Sequence, residues 1–144
     1  MTARLRTLGV PLAISALTRT SASTPRALRV LVAPWASIAG DLGAQGIEHG
    51  PRASGVYARF SADGTALTLL DQDGLAVQTL HAGAGLIAAT RNLQDPPIWL
   101  VTGTDGEGVQ RAAGAFDTST LQHRFAVALD AAGAVALPDP GPTR

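Results

Sequence analysis

The stretch Pro97–Phe116, PIWLVTGTDGEGVQRAAGAF, contains the pattern that decides the fold. An apolar run typical of a strand is followed by a turn rich in Gly, Thr, Asp and Glu, and then by an amphipathic segment typical of a helix. Strand, glycine-rich turn and helix are also the parts of a nucleotide-phosphate site. The stretch therefore predicts a β–α unit whose turn is either a binding loop or a helix cap.

The acidic residues of this turn favour a cap. Thr104 as N-cap and Glu107 three residues later fit a capping box, in which each side chain accepts a hydrogen bond from the backbone of the other. Asp105 and Glu107 in the first helical turn would satisfy the free N–H groups there and repel an anion. We predict a capped helix that is closed to phosphates, with a cation or hydroxyl ligand at Asp105 as the alternative. The buried stripe of this helix is expected at Val109, Ala112, Ala113 and Phe116.

A second glycine-rich stretch, His81–Thr90, is a better match to a dinucleotide fingerprint. Gly83-x-Gly85-x-x-Ala88 fits the G-x-G-x-x-A variant, and Asp105 follows at the distance of a ribose-binding acid. The pattern from Ala82 to Leu93 predicts a helix that opens at these glycines. A Rossmann-like enzyme that binds NAD(P) or a flavin is therefore an alternative, against close packing of a helix on a sheet through small residues.

Composition excludes several classes of protein. The chain has 144 residues, of which 46% are hydrophobic and 15% charged, which is typical of a packed globular protein. Eleven acidic residues balance eleven basic ones, all of them arginine, so Schiff-base lysine chemistry and a basic nucleic-acid surface are both excluded. No cysteine is present, which excludes thiol catalysis, cysteine-based zinc sites and disulfides.

The amino-terminal residues 1–23 allow two interpretations. Early arginines, an apolar stretch from Leu8 to Leu17 and small residues at Ser21–Ser23 are similar to a short signal peptide. Pro11 and the polar residues after Leu17 favour instead a helical turn followed by the strand PLAISAL. No apolar run approaches the roughly 18–20 residues of a membrane-spanning helix. We expect a soluble protein without a convincing signal peptide, and a cytoplasmic location stays open.

Strand and helix patterns alternate along most of the chain. Strands are predicted in Ala27–Pro34, in Gly55–Ser61 and on both sides of an Asp71–Gly74 hairpin turn, with a second hairpin, FAVALD–AVALP, near the end. A weak helix is expected over Trp35–Glu48 and a loop over His49–Gly55. A β–α–β unit between Leu75 and Leu100 is expected to supply a parallel strand pair. The prediction is one α/β domain over residues 1–138, a layered sandwich in which helices pack on a mixed sheet that includes hairpins, and a flexible tail over 139–144.

No catalytic, metal-binding or cofactor-binding constellation emerges. His49, His81 and His123 lack metal-ligand spacing, and Ser54 lacks the flanking glycines of a nucleophile elbow. We therefore predict a non-enzymatic domain without a cofactor or metal. Ligands of open α/β sheets bind at the carboxyl ends of strands. We accordingly expect a small-molecule or protein ligand at a face formed by Gly83, Gly85, Thr90, Arg91, Thr102, Gly103, Thr104 and Asp105.

Several phrases resemble one poorly characterised family. RVLVAPW, GPRASGVYARF, AGLIAATRNLQDPPIWLVTGTDGEGVQRAA and LQHRFAVAL are similar to a domain found at the carboxyl end of bacterial secreted or envelope proteins. That domain follows a small β-grasp domain like the carboxyl-terminal part of transcobalamin. The resemblance spans about Leu5 to Pro138, and IAATR and WLVTGTD are its most specific phrases. It implies an extracytoplasmic accessory role beside small-molecule, cobalamin-type uptake, with an envelope protein as partner, and it brings no catalytic residues.

The resemblance also implies that an upstream β-grasp domain and one earlier strand are missing from this chain. We therefore expect either a fragment or a late start site. A second resemblance covers residues 4–42 only, in which helix, LGVPLAIS, ALRVLVAPW and the next helix are similar to the peptidoglycan-binding sporulation-related repeat. A cell-wall glycan-binding module is the corresponding alternative.

Overall fold

The computed structural model describes residues 29–92 and 95–139 of the chain. The strands are β1 (Arg29–Val32), β2 (Ala58–Phe60), β3 (Leu67–Leu70), β4 (Ala76–Leu80), β5 (Gly85–Asn92), β6 (Asp95–Gly103), β7 (Ala126–Asp130) and β8 (Gly133–Ala136). The helices are α1 (Trp35–Ile38), α2 (Leu42–Gln45), a 3-10 helix (Gly46–His49), α3 (Pro51–Ser54), α4 (Gly106–Gly114) and α5 (Thr118–Leu121). The predicted helix and strand over residues 1–23 lie outside the described residues.

Two sheets organise the described part of the chain. The larger has the strand order β1-β6-β5-β7-β8 and is mixed, because β1 is parallel to β6 and the other neighbours are antiparallel. The smaller sheet, β2-β3-β4, is antiparallel. The predicted fold class, α/β with a mixed sheet and hairpins, is confirmed.

The turn chemistry predicted both hairpins correctly. At the β3–β4 turn, Oδ1 of Asp71 accepts hydrogen bonds from the backbone N–H groups of Asp73 and Leu75, each at 2.9 Å. Gly74 has a φ of +80°, which side chains disfavour and glycine tolerates. The β7–β8 turn uses Asp130 in the same way, since its Oδ1 accepts from the N–H groups of Ala132 and Gly133.

The predicted helix over Ala82–Leu93 is wrong, because this segment is β5, a central strand of the larger sheet. Leu86, Ile87 and Ala88 are consecutive and all buried, which a strand covered on both faces requires. The predicted β–α–β unit between Leu75 and Leu100 is wrong for the same reason. The segments on either side of β5 lie in different sheets, and the observed parallel pair is β1 with β6.

Each face of the larger sheet has its own core. One face carries Leu86 and Leu100 and packs against the smaller sheet and the short helices α1 and α2. In that core Trp35, only 2% exposed, stacks on Phe60 with ring centroids 4.6 Å apart. The opposite face carries Ile87, Val101, Val127 and Leu129 and packs against Ala112 of α4. The result is the predicted layered sandwich.

Two boundaries differ from the sequence predictions. The expected loop over His49–Gly55 contains the short helix α3, which Gly55 ends with a φ of +74°. The predicted flexible tail begins too early, because Asp139 is buried and its backbone N–H donates to the carbonyl of Leu70 at 2.9 Å. Residues 140–144 lie outside the described part.

The Trp35–Phe60 stack predicts a large mutational effect. Phe60→Ala should lower the free energy of unfolding by about 3–5 kcal/mol, because it removes a buried ring and leaves a cavity beside Trp35. Urea titration followed by tryptophan fluorescence measures this change. Phe125→Ala is the matched control, since Phe125 is 76% exposed and its truncation should change stability by less than about 0.5 kcal/mol. Equal losses for both variants would contradict the packing described above.

Candidate functional site

The two glycine-rich stretches meet at one end of the larger sheet. The start of β5 lies beside the end of β6, with Gly85 opposite Gly103, and α4 begins three residues after Gly103. We call Gly83–Gly85, Gly103–Asp105 and Gly108 the glycine joint. The structure thus brings together the predicted ligand residues Gly83, Gly85, Gly103, Thr104 and Asp105.

The glycine joint is filled by its own backbone. A Cβ atom on Gly108 would overlap the carbonyl oxygen of Ala84, and one on Gly103 would lie 2.6 Å from that same oxygen. A Cβ on Gly85 would overlap the carbonyl oxygen of Gly108. Glycine is needed at these positions because α4 rests directly on the backbone of the β5 turn and of the β6 end. The close-packing interpretation of the glycines is therefore confirmed.

Asp105 is the N-cap of α4. The prediction placed Thr104 there, one residue too early. Oδ1 of Asp105 accepts from the N–H of Gly108, and its Oδ2 accepts from the N–H of Gly83, both at 2.8 Å. These two hydrogen bonds are the main reason that the pKa of Asp105 lies below its ordinary value of 3.8. The carboxylate therefore occupies donors that a phosphate would otherwise use, as predicted for the helix end.

Thr104 and Glu107 make other contacts than the predicted capping box. Oγ1 of Thr104 donates to the carbonyl of His81 at 2.9 Å and accepts from the N–H of Ala84 at 3.2 Å. The carboxylate of Glu107 pairs with Arg111 at 2.7 Å, one turn along α4. Arg111 also donates from Nη1 to the carbonyl of Gly83. The capping box therefore does not form, because the N-cap is shifted by one residue. Thr104 instead contacts the β5 turn directly, and Glu107 contacts it through Arg111.

The dinucleotide interpretation loses its structural premise. Gly83-x-Gly85-x-x-Ala88 leads into a strand, whereas a Rossmann fingerprint opens a helix whose N–H groups receive the pyrophosphate. The N–H of Gly83 is already bonded to Asp105, and the space above Gly85 is occupied by Gly108. Asp105, the proposed ribose ligand, serves as the cap instead.

The remaining predicted ligand residues are not part of this site. Thr90 lies five residues along β5 from Gly85, about 17 Å away at the strand rise, and Arg91 follows it at that far end. Thr90 is buried, and its hydroxyl donates to the carbonyl of Ile98 at 3.3 Å. Thr102 is fully buried opposite Leu86, on the face that packs against the smaller sheet, and its Oγ1 has no hydrogen-bond partner among the described residues. The expected single ligand face therefore does not form.

A different surface emerges at the far end, on the α4 face of the larger sheet. Val30 lies opposite Trp99, Trp99 lies opposite Ala89, and the N–H of Ala89 donates to the carbonyl of Phe125 at 2.8 Å. The alternation of strand side chains assigns Val30, Ala89 and Trp99 to the face that carries Val101 and Val127. Phe125 precedes β7, and the same alternation, continued back from Val127, places it on this face. Val32, two residues after Val30 and opposite Val101, extends this surface toward the glycine joint. We call these residues the apolar row: Val30, Val32, Ala89, Trp99 and Phe125.

The apolar row is only partly covered. Phe125 is 76% and Val32 38% exposed, while Val30, Ala89 and Trp99 are half-buried. Phe116 covers Trp99 on one side. The two rings meet edge-on with their centroids 5.8 Å apart. Sequence reasoning missed this row because its members come from three strands and from the residue that precedes β7. Only the strand register makes them neighbours.

Polar side chains flank the Phe125 end of the apolar row. Gln122, His123 and Arg124 are exposed and directly precede Phe125. Nη1 of Arg124 donates to the carbonyl of Thr120 at 3.4 Å, which keeps the guanidinium beside α5 on the helix side of the sheet. An exposed aromatic ring next to an arginine is a combination enriched at protein interfaces.

Metal and membrane sites find no support in the described residues. Within 29–92 and 95–139, no three His, Asp or Glu side chains are grouped so that they could hold a metal ion. The helices of the same residues are too short or too polar to cross a membrane.

Comparison of the chain with protein-family models, with curated proteins and with solved structures gives no match.

The glycine joint predicts opposite effects for two glycines of α4. Gly108→Ala should lower the free energy of unfolding by about 1–3 kcal/mol, because the new methyl group overlaps the Ala84 carbonyl and forces the backbones apart. Gly114→Ala should raise it by up to about 1 kcal/mol, since a Cβ atom added at Gly114 would meet no atom within 4 Å and alanine favours a helix. Urea denaturation of both variants measures the difference. A stabilised Gly108→Ala variant would refute the close contact.

Asp105 predicts a pH-dependent contribution to stability. Because its folded-state pKa is lowered, its contribution is present above the unfolded-state value near 3.8 and is lost as the pH falls below it. Asp105→Ala should therefore cost about 1–2 kcal/mol at pH 7 and less at pH 3, as expected for a lost N-cap. Denaturant titrations at the two pH values give the comparison. Glu107→Ala is the control and should cost less than about 0.5 kcal/mol, since its side chain is 68% exposed. An equal loss for Asp105→Ala at both pH values would contradict the assignment.

Proposed function

We propose that this protein is a non-catalytic accessory domain that binds a partner protein through the apolar row. The observation that carries the proposal is Phe125, whose side chain is 76% exposed at the end of a row of apolar residues. The chain has only six aromatic residues, and an aromatic ring left exposed contributes little to the core. Contiguous exposed apolar surface is typical of an interaction site.

The glycine joint supports the non-catalytic part of the proposal. It lies at the strand end where open α/β sheets usually bind ligands. There the carboxylate of Asp105 holds the N–H groups of Gly83 and Gly108, and backbone contacts leave no room for a Cβ atom. These contacts give the turn a structural role, which favours a binding surface elsewhere.

The resemblance to the domain that follows a transcobalamin-like β-grasp domain supplies the context of the proposal. In that context the protein acts outside the cytoplasm, the partner is an envelope protein, and the pair serves small-molecule, cobalamin-type uptake. The cell-wall glycan alternative depends on residues 4–42, of which 4–28 lie outside the described part, and no observation favours it.

Site-directed crosslinking tests the proposal. The chain has no cysteine, so a single introduced cysteine is the only thiol that the reagent can label. Val32→Cys carrying a photoreactive maleimide should form an adduct in an extract of the source organism, and the purified partner should reproduce it. Phe125→Ala should abolish that adduct. Leu75→Cys, 65% exposed at the β3–β4 turn, is the control site and should give none.

Two outcomes would contradict the proposal. One is an adduct that forms equally at both cysteines or survives Phe125→Ala. The other is a saturable rise in melting temperature with a cobalamin, a dinucleotide or a muropeptide that Phe125→Ala leaves unchanged, since it would place the binding site elsewhere.

A further inference from the structure

We infer that the apolar row receives an amphipathic helix of the partner protein and that the polar face of this helix is acidic. The inference rests on the proposed function and adds the chemistry of the partner. It depends on three features of the surface: the row lies on the face of the sheet, an exposed arginine flanks it, and an exposed aromatic ring ends it.

The position of the row on a sheet face favours a helix. A face presents side chains, while the backbone N–H and C=O groups that an extended peptide needs lie at the edges of a sheet. The same face is already covered by a helix at its other end, where α4 packs on β5, β6 and β7. From β1 to β7 the row crosses three strand spacings, about 14 Å. About ten residues of helix span that distance.

The flanking charge favours an acidic partner. Arg124 is exposed and makes no ion pair within the described residues. Arg29 of β1 and Arg111 of α4 are, by contrast, already paired, with Asp41 at 2.9 Å and with Glu107 at 2.7 Å. A carboxylate on the bound helix would pair with Arg124, and a lysine in its place would be repelled.

Phe125 provides the anchor for the helix. Aromatic residues that a partner desolvates dominate binding energy at interfaces, and arginines beside them add specificity. The half-buried Trp99 and the aliphatic Val30 and Val32 continue the apolar surface away from this anchor. The row therefore fits a helix whose apolar stripe follows the strands' common face and whose acidic positions lie toward Arg124.

Two designed peptides of about 15 residues test the inference on the full chain, since shorter isolated helices are marginal in water. Both have the same Leu/Ala stripe, and their polar positions are Glu in one and Lys in the other. Fluorescence anisotropy of the labelled peptides gives the dissociation constants. The acidic peptide should bind more tightly, Phe125→Ala should weaken it at least tenfold, and Arg124→Glu should weaken it roughly fivefold. Leu75→Ala, at a side chain 65% exposed outside the row, is the matched control and should change nothing.

Labelling of a single cysteine locates the peptide. The acidic peptide should slow maleimide labelling of Val32→Cys and leave that of Leu75→Cys unchanged. In the free chain, Val32→Cys should react at a rate that does not depend on protein concentration. A slow rate that rises on dilution would identify a second copy of the chain as the occupant, and a slow rate at every concentration would identify the chain's own residues 1–28. Either result overturns the inference.

The remaining outcomes separate the inference from the proposed function. Equal binding of both peptides, lost in Phe125→Ala, overturns the acidic helix and leaves the row as a docking surface. Tighter binding of the Lys peptide, lost in Phe125→Ala, also overturns the acidic helix and leaves the row as a docking surface. Binding of neither peptide overturns the inference, and the crosslinking experiment then decides whether the row still docks a partner.

Discussion

The contact between the backbone of Gly108 and the carbonyl of Ala84 is the constraint on which the rest of the helix face depends. It allows α4 to lie directly on the β5 turn and the β6 end, where any side chain on Gly103 or Gly108 would hold it away. Around this contact the polar groups hydrogen-bond to one another. The carbonyl of Ala84 accepts from the N–H of Thr104 at 2.9 Å, and Asp105 bridges the N–H groups of Gly83 and Gly108. These contacts give this strand end a structural role, which is to hold α4 on the sheet.

The same constraint explains why the apolar row is only partly covered. The amino end of α4 is fixed at the Gly85–Gly103 end of the strands, and its nine residues reach about 13 Å. The segment after it ends over Trp99, where Phe116 makes its edge-on contact. Beyond that point α5 covers the face only in part, because Leu121 packs on the same core while Val32 and Phe125 stay exposed. The exposed surface thus follows from the place where α4 is fixed and from the limited part of the face that α4 and α5 cover.

The two ends of the larger sheet consequently differ in character. At the glycine joint, the carboxylate of Asp105 accepts from the N–H groups of Gly83 and Gly108, and small residues allow close backbone contact. These contacts occupy the groups and the space that a ligand would need. Toward the far end, side chains from three strands and the ring of Phe125 extend beyond α4, and Arg124 makes no ion pair within the described residues. Close backbone packing at one end therefore stands beside apolar exposure at the other.

The sequence by itself determined the fold class, both hairpins and the β6–α4 unit, because turn residues such as Asp71 and Gly74 and the stripe near Ala112 act locally. It also identified the glycines of the joint and the anion-repelling acids. Tertiary structure alone decided that Gly85–Asn92 is a strand, since a run buried on both faces has no period that separates helix from strand. The N-cap shifted to Asp105 because that carboxylate also reaches Gly83, a contact across the fold. The apolar row, too, exists only in three dimensions, because strand register sets its members side by side and sequence spacing carries no record of register.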